Sequence, residues 1–215
     1  MIGARGIREQ PFVVMTFLKS KYFLWLLLAL PSIPMTAALT GASPGASGQP
    51  VTEALLHPTG EFAARFMIIA MIISPLRMLF PKSRIVLWMM RHRRSFGIAA
   101  FAYALAHTAL YILDMETAAA IFGEFFALGI WTGWLAMLVF IPLAATSNEW
   151  AVRRLGRSWH TIQRCVYAGA LATLVHWIFV HNNLGPAIVH FLPLAALEAY
   201  RLWKHFTAPD NRRTA

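Results

Sequence analysis

Long uncharged apolar runs alternate with short clusters of arginine and lysine along this chain. A bilayer core needs about 20 apolar residues in a helix. Six segments meet that length: Tyr22–Leu39, Phe62–Phe80, Ser95–Leu113, Ile121–Ala145, Thr161–Val180 and Leu184–Trp203. The fourth is longer than a span requires, which implies a tilt or a start in the interface. The pattern predicts an all-α integral membrane protein, a six-transmembrane-helix bundle. Residues 1–21 form a cytoplasmic N-terminal segment in this reading, residues 22–203 the membrane domain and residues 204–215 a cytoplasmic tail.

The charges orient these spans. If six helices alternate, every lysine and arginine except Arg65 falls on one side. The other side carries Glu53, Glu61, Asp114, Glu116 and Glu124. The positive-inside rule then places both termini in the cytoplasm. A wrong span count would scramble this sorting, so the sorting also supports six.

Composition narrows the class. Of 215 residues, 58% are hydrophobic and 13% charged, with a formal net charge of +10. Soluble domains carry about 25% charged residues. A nucleic-acid binder spreads its basic residues over a solvated face, whereas here they punctuate apolar runs, so no nucleic-acid partner is expected. The single cysteine, Cys165, forms no internal disulfide, and no Cys-x-x-Cys pair suits zinc or c-type haem. No Gly-rich phosphate loop is present, and only Lys204–Ala215 follow the last apolar run. Hydride chemistry would therefore need a separate protein.

Thr40–Pro50, rich in Gly, Ala, Ser and Pro, reads as a flexible external loop. The first span, with its basic start, also admits a signal-peptide reading, although its apolar run is long for one. Pro31 and Pro34 are expected to kink that span rather than end it.

Polar groups inside a membrane ask for a reason. His107 lies in the third span and His176 in the fifth, each roughly 20 Å above the cytoplasmic surface at 1.5 Å rise per residue. Residues i−3, i−4 and i−7 share a helix face. Below His176 these are Thr173, Ala172 and Gly169, and below His107 they are Ala104, Tyr103 and Ala100. Two mostly small-lined faces, each topped by a histidine, leave a slot in which two imidazoles would hold a haem iron. The alternative is close helix packing with hydrogen bonds between the helices. His57, His181 and His205 read as solvated or interfacial, and His190 as a pocket or interface residue. His92 and His160 mark the cytoplasmic ends of their spans, where His160 is a candidate ligand for a second haem.

Several short motifs stand in a characteristic order. They are His57-Pro58-Thr59-Gly60, Ser74-Pro75-Leu76-Arg77, Arg93-Arg94-Ser95-Phe96-Gly97 leading to His107 and Tyr111, Ala145-Thr146-Ser147, Leu155-Gly156-Arg157-Ser158-Trp159, and Val166-Tyr167 before His176. Together they resemble the MsrQ family. These are haem-binding membrane subunits of bacterial periplasmic methionine sulfoxide reductase systems, within the ferric-reductase-like transmembrane group. The resemblance covers about His57 to Trp203. It implies b-type haem with His107 and His176 as axial ligands. The family's further fifth-span histidine is replaced here by Gln163, with a histidine at position 160 instead, which puts a second haem in doubt. The expected Lys/Arg-Pro-Tyr stretch before the fourth span is replaced by Gly123-Glu124-Phe125-Phe126.

The resemblance implies an electron-transfer subunit rather than a complete enzyme. Electrons would arrive from the quinone pool or a cytoplasmic flavin reductase, and leave to a periplasmic molybdenum-cofactor methionine sulfoxide reductase. Tyr103 and Tyr111 would tune the haem potential. The cytoplasmic arginine cluster would contact lipid headgroups, and also suits the phosphate of FMN. Two alternatives stand: a ferric-reductase-like cytochrome b serving another acceptor, and a non-redox transporter or assembly protein. Transporters often show interrupted helix pairs and internal repeats, and the sequence shows neither.

Overall fold

Breaks in the apolar runs set the helix boundaries. The computed structural model describes residues 21–41 and 50–207. The expected segment 1–20, residues 42–49 of the external loop and residues 208–215 of the tail lie outside the described residues. Every regular element among the described residues is an α-helix. The chain divides into an N-terminal unit, residues 1–48, and a larger unit, residues 49–215.

In the N-terminal unit, α1 (Lys21–Ala29) and α2 (Ser32–Leu39) meet at a 52° bend. Pro31 stands at the break as the residue before α2. A proline lacks the N–H that would carry the ladder across this point.

The larger unit contains α3 (Val51–Leu79), α4 (Arg84–Asp114), α5 (Ala118–Glu124), α6 (Leu128–Ala145), α7 (Glu149–Leu155), α8 (Arg157–Arg164), α9 (Val166–His181) and α10 (Leu184–Thr207). Among the described residues, α3, α4 and α6 are long and apolar enough to cross a membrane, and the bent α1–α2 pair qualifies as a fourth. Helix α9 has only 16 residues, and α10 carries Glu198, Arg201 and Lys204 towards its end.

The helices depart from the expected spans at identifiable residues. Helix α3 starts at Val51, so His57 is helical and not in the loop where the sequence placed it. Pro58 sits inside α3, a position that membrane helices tolerate because neighbouring groups satisfy the freed carbonyl. Helix α4 starts at Arg84, where the Ser83 hydroxyl accepts from the Val86 N–H. The fourth expected span is split between α5 and α6 near Glu124–Ala127, where the Glu124 carboxylate interrupts the run. The fifth is split at Cys165, between the polar α8 and the apolar α9. Gly156, at φ 50°, makes the turn from α7 into α8 in the left-handed region that favours glycine.

Five helices pack in a closed ring: α3 on α4, α4 on α6, α6 on α9, α9 on α10 and α10 back on α3. Ile73, Ala64 and Met67 of α3 are buried inside it. Leu105, Leu138, Leu171 and Val189 are exposed on its apolar outer surface, as a lipid-facing surface requires. Helices α3 and α4 run antiparallel, with His107 level with Leu56 and Gly60, and Arg93 level with Ala70. One end of the ring therefore collects Glu53, Asp114 and His181. The other collects Arg91, Arg93, Arg94, Arg164 and Arg201 around one cavity. These are termed the histidine end and the arginine end.

Candidate functional site

The structure brings His107 of α4 and His176 of α9 together at the same level. Their ring centroids lie 6.0 Å apart with the planes at 82°. They line one cavity of about 510 Å³, within the range of cofactor sites. Its wall is mostly apolar, with Ala63, Ala64, Ala104, Ala136, Met137 and Phe140 on the arginine-end side of the pair.

Each imidazole is held by one repeated device. His107 Nδ1 lies 2.9 Å from the Leu56 carbonyl oxygen, and His176 Nδ1 lies 2.7 Å from that of Gly129. A carbonyl only accepts, so each Nδ1 carries the hydrogen and each Nε2 is left with its lone pair free. Four residues after each carbonyl stands a glycine, one helical turn along. A Cβ on Gly60 would come within 3.0 Å of the His107 ring, and one on Gly133 within 2.7 Å of His176 Nδ1. Glycine at these two positions lets α3 and α6 pass directly against the rings.

This arrangement fits a metal held between two imidazoles. Metal-ligating histidines donate their other ring N–H to a carbonyl or carboxylate, which fixes tautomer and orientation. An imidazole nitrogen binds a first-row metal at about 2 Å, so two rings sharing one metal have centres at most about 6 Å apart. The observed separation matches. A long, apolar-walled cavity between the helices suits a flat macrocycle around such a metal.

Of the four residues expected to line the slot, Ala104 and Thr173 line this cavity. The structure sets the other two apart. Ala100 lines a second cavity, and Gly169 packs against Phe140, where a Cβ would lie 2.7 Å from the ring. Both are two turns from their histidine, and there the Phe140 side chain closes the slot. Tyr103 turns to α3, its ring 5.5 Å from Phe66 and 5.7 Å from Phe62. Tyr111 lines the cavity one turn beyond His107.

The second cavity, of about 940 Å³, lies at the arginine end between α3, α4, α6, α7, α8, α9 and α10. Arg91, Arg93, Arg94, Arg164 and Arg201 line it with His160. Arg93 donates to the Ala70 carbonyl at 2.8 Å, and Arg94 pairs with Glu149. Gln163 also lines it, but its amide donates to the Leu143 carbonyl at 3.1 Å and to Thr146 Oγ1 at 3.0 Å. His160 is the one histidine among the described residues lining this cavity, and its ring stacks edge-on with Trp159. His92 stacks on Trp88 instead.

Sequence reasoning missed the two carbonyl–glycine pairs. Glycines at positions 60 and 133 inside apolar helices were the available signal. It also left Arg65 alone, whereas the structure pairs it. Arg65 forms an ion pair with Glu61, and its Nε donates to His190 Nε2 at 3.1 Å.

Comparison with known proteins gives a consistent picture. Residues 51–174 match the family described as ferric reductase like transmembrane component. A protein-methionine-sulfoxide reductase heme-binding subunit MsrQ from Brucella anthropi is 30% identical over 183 residues, covering 83% of this chain and 81% of its own. Proteins of the same name from Brucella ovis and Brucella suis are each 29% identical over 206 residues, covering 94% of this chain and 90% of theirs. No solved structure matches.

Proposed function

Because this chain belongs to the ferric reductase-like transmembrane family, and within it to the MsrQ haem-binding subunits of methionine sulfoxide reductase, we propose that His107 and His176 are the axial ligands of one b-type haem that relays electrons across the membrane. The observation that carries the reading is the pair of imidazoles 6.0 Å apart, each with Nδ1 committed to a carbonyl.

Bound haem supplies reversible one-electron carriage. The chain supplies the rest. The Leu56 and Gly129 carbonyls hold each imidazole in the tautomer that presents Nε2. Gly60 and Gly133 admit the rings, and the alanine-lined wall gives the site an apolar side. Such apolar burial and carbonyl hydrogen bonding are the levers that set a haem's potential.

In this proposal the membrane carries six spans with both termini in the cytoplasm of a bacterial inner membrane. Helix α9 completes its span with the end of α8 from Thr161, and α10 provides the sixth. The arginine end then faces the cytoplasm, as the positive-inside rule requires. The donor, from the quinone pool or a flavin reductase, meets the chain at the second cavity. Its arginines suit the phosphate of FMN, and His160 suits a quinol hydroxyl. With one histidine among the described residues lining it, and the Gln163 amide already engaged, that cavity offers no pair of imidazoles for a second haem. The acceptor, a periplasmic molybdenum-cofactor methionine sulfoxide reductase, meets the histidine end.

A reduced-minus-oxidised spectrum of purified membranes tests the reading. A b-type haem signal is expected in the native protein and its loss in His107→Ala and in His176→Ala. Absence of the signal from the native protein would sink the redox reading. Unchanged haem content in both variants would sink the ligand assignment.

A further inference from the structure

The cavity holding the histidine pair has one unexplained polar atom. Tyr111 lines it, and the Tyr111 hydroxyl is buried with no hydrogen-bond partner. Buried polar groups without partners are rare and costly, so this hydroxyl is free to donate to a polar atom of a ligand in the cavity.

Its place along the helix says which part of the ligand. Tyr111 stands one turn past His107 towards the histidine end, about 6 Å along the axis. Two further cavity residues stand just past the pair in the same direction. His181 follows His176 on α9, and His57 precedes Gly60 on α3 by one turn. Their rings meet edge-on at the mouth, with centroids 4.8 Å apart and planes at 61°. Glu53 and Glu61 also line this mouth, with Glu61 held by Arg65. One turn past the pair in the other direction the wall is Ala63, Ala64, Ala104, Ala136 and Met137. The hydroxyl on that side, Thr173, donates to the Gly169 carbonyl at 2.8 Å.

The cavity is thus polar at one end and apolar at the other, and haem has the same asymmetry. Its two carboxylates project from one edge, and only hydrocarbon substituents from the opposite edge. Carboxylates in an apolar wall would be unpaired charges. We propose that the site takes haem in one orientation, with the carboxylate edge towards the histidine end. Tyr111 donates to one carboxylate, and His57 and His181 hold the other. This rests on the haem reading above. It makes Tyr111, His57 and His181 positioning residues, and it turns the polar edge of the cofactor towards the side assigned to the acceptor.

The test titrates apo-protein in lipid nanodiscs with haem and with haem dimethyl ester, which keeps the iron and macrocycle but has no free carboxylate. Soret absorbance reads the affinity. The native protein should favour haem over the ester by about tenfold or more, the scale of a hydrogen bond to a charged group. Tyr111→Phe should cut that preference by about tenfold and leave ester affinity unchanged. The apo form of Tyr111→Phe should unfold at the same or a higher temperature, since it loses only an unpartnered hydroxyl. The His57→Ala/His181→Ala double variant should cut the preference again. Equal affinity of the native protein for both porphyrins, or equal losses for both in Tyr111→Phe, would overturn the orientation and leave the haem reading intact. Failure to bind either porphyrin would overturn both.

Discussion

Replacing Gly133 with alanine adds one methyl group where His176 needs the space. The new Cβ would lie 2.7 Å from His176 Nδ1 and 2.9 Å from Cε1, closer than real Cβ contacts come. The ring is the rigid neighbour here, so it must retreat by several tenths of an ångström. The same Nδ1 donates to the Gly129 carbonyl at 2.7 Å, and the retreat lengthens that bond. Losing such a partner of a metal-ligating histidine costs about 10–100-fold in metal affinity. Haem affinity of Gly133→Ala should fall by that factor, about 1.4–2.8 kcal/mol. Gly97→Ala is the control, because a Cβ there meets nothing within 4 Å. It should bind haem normally and gain up to about 1 kcal/mol from helix propensity. Soret titration of the two apo-proteins measures the affinities, and low-temperature EPR of the ferric forms reports the axial field. A Gly133→Ala protein with native affinity and an unchanged low-spin signal would refute the idea that this glycine sets the ligand's position.

Other expectations follow from the same geometry. Gly60→Ala should weaken haem binding less than Gly133→Ala, because its Cβ would stop at 3.0 Å from the His107 ring; the same titration ranks the two. His160→Ala should retain full haem per polypeptide by pyridine haemochrome assay, since no second histidine among the described residues lines its cavity. Arg65→Ala removes the partner of both Glu61 and His190 at the α3–α10 contact. It should cost about 1–2 kcal/mol, discounted for the partial exposure of Arg65, and thermal unfolding in detergent would detect it.

The sequence made the two histidines legible because an imidazole in an apolar run needs a purpose, and equal depth follows from span order alone. It did not reveal what holds them. The Leu56 and Gly129 carbonyls carry no side-chain signature, and Gly60 and Gly133 act on a ring of another helix. Periodicity within one helix groups Ala104, Thr173, Ala100 and Gly169 with the histidines in one slot; in the structure the first two line the cavity of the pair and the other two do not. The Phe140 side chain, from a third helix, closes it before Gly169. His57 was misplaced for a related reason. The apolar run counted as the second span begins only at Phe62, but α3 starts at Val51 and continues through Pro58, packed along α4. The breaks at Glu124–Ala127 and Cys165 lie inside runs whose average hydropathy hides a local polar face.

Near-infrared magnetic circular dichroism of the ferric protein tests the central assignment most directly, because its charge-transfer band identifies the axial ligand pair. One bis-imidazole species, at one haem per polypeptide, is the expected result. A band from any other ligand pair, or a second low-spin haem of comparable intensity, would contradict the assignment of a single haem to His107 and His176.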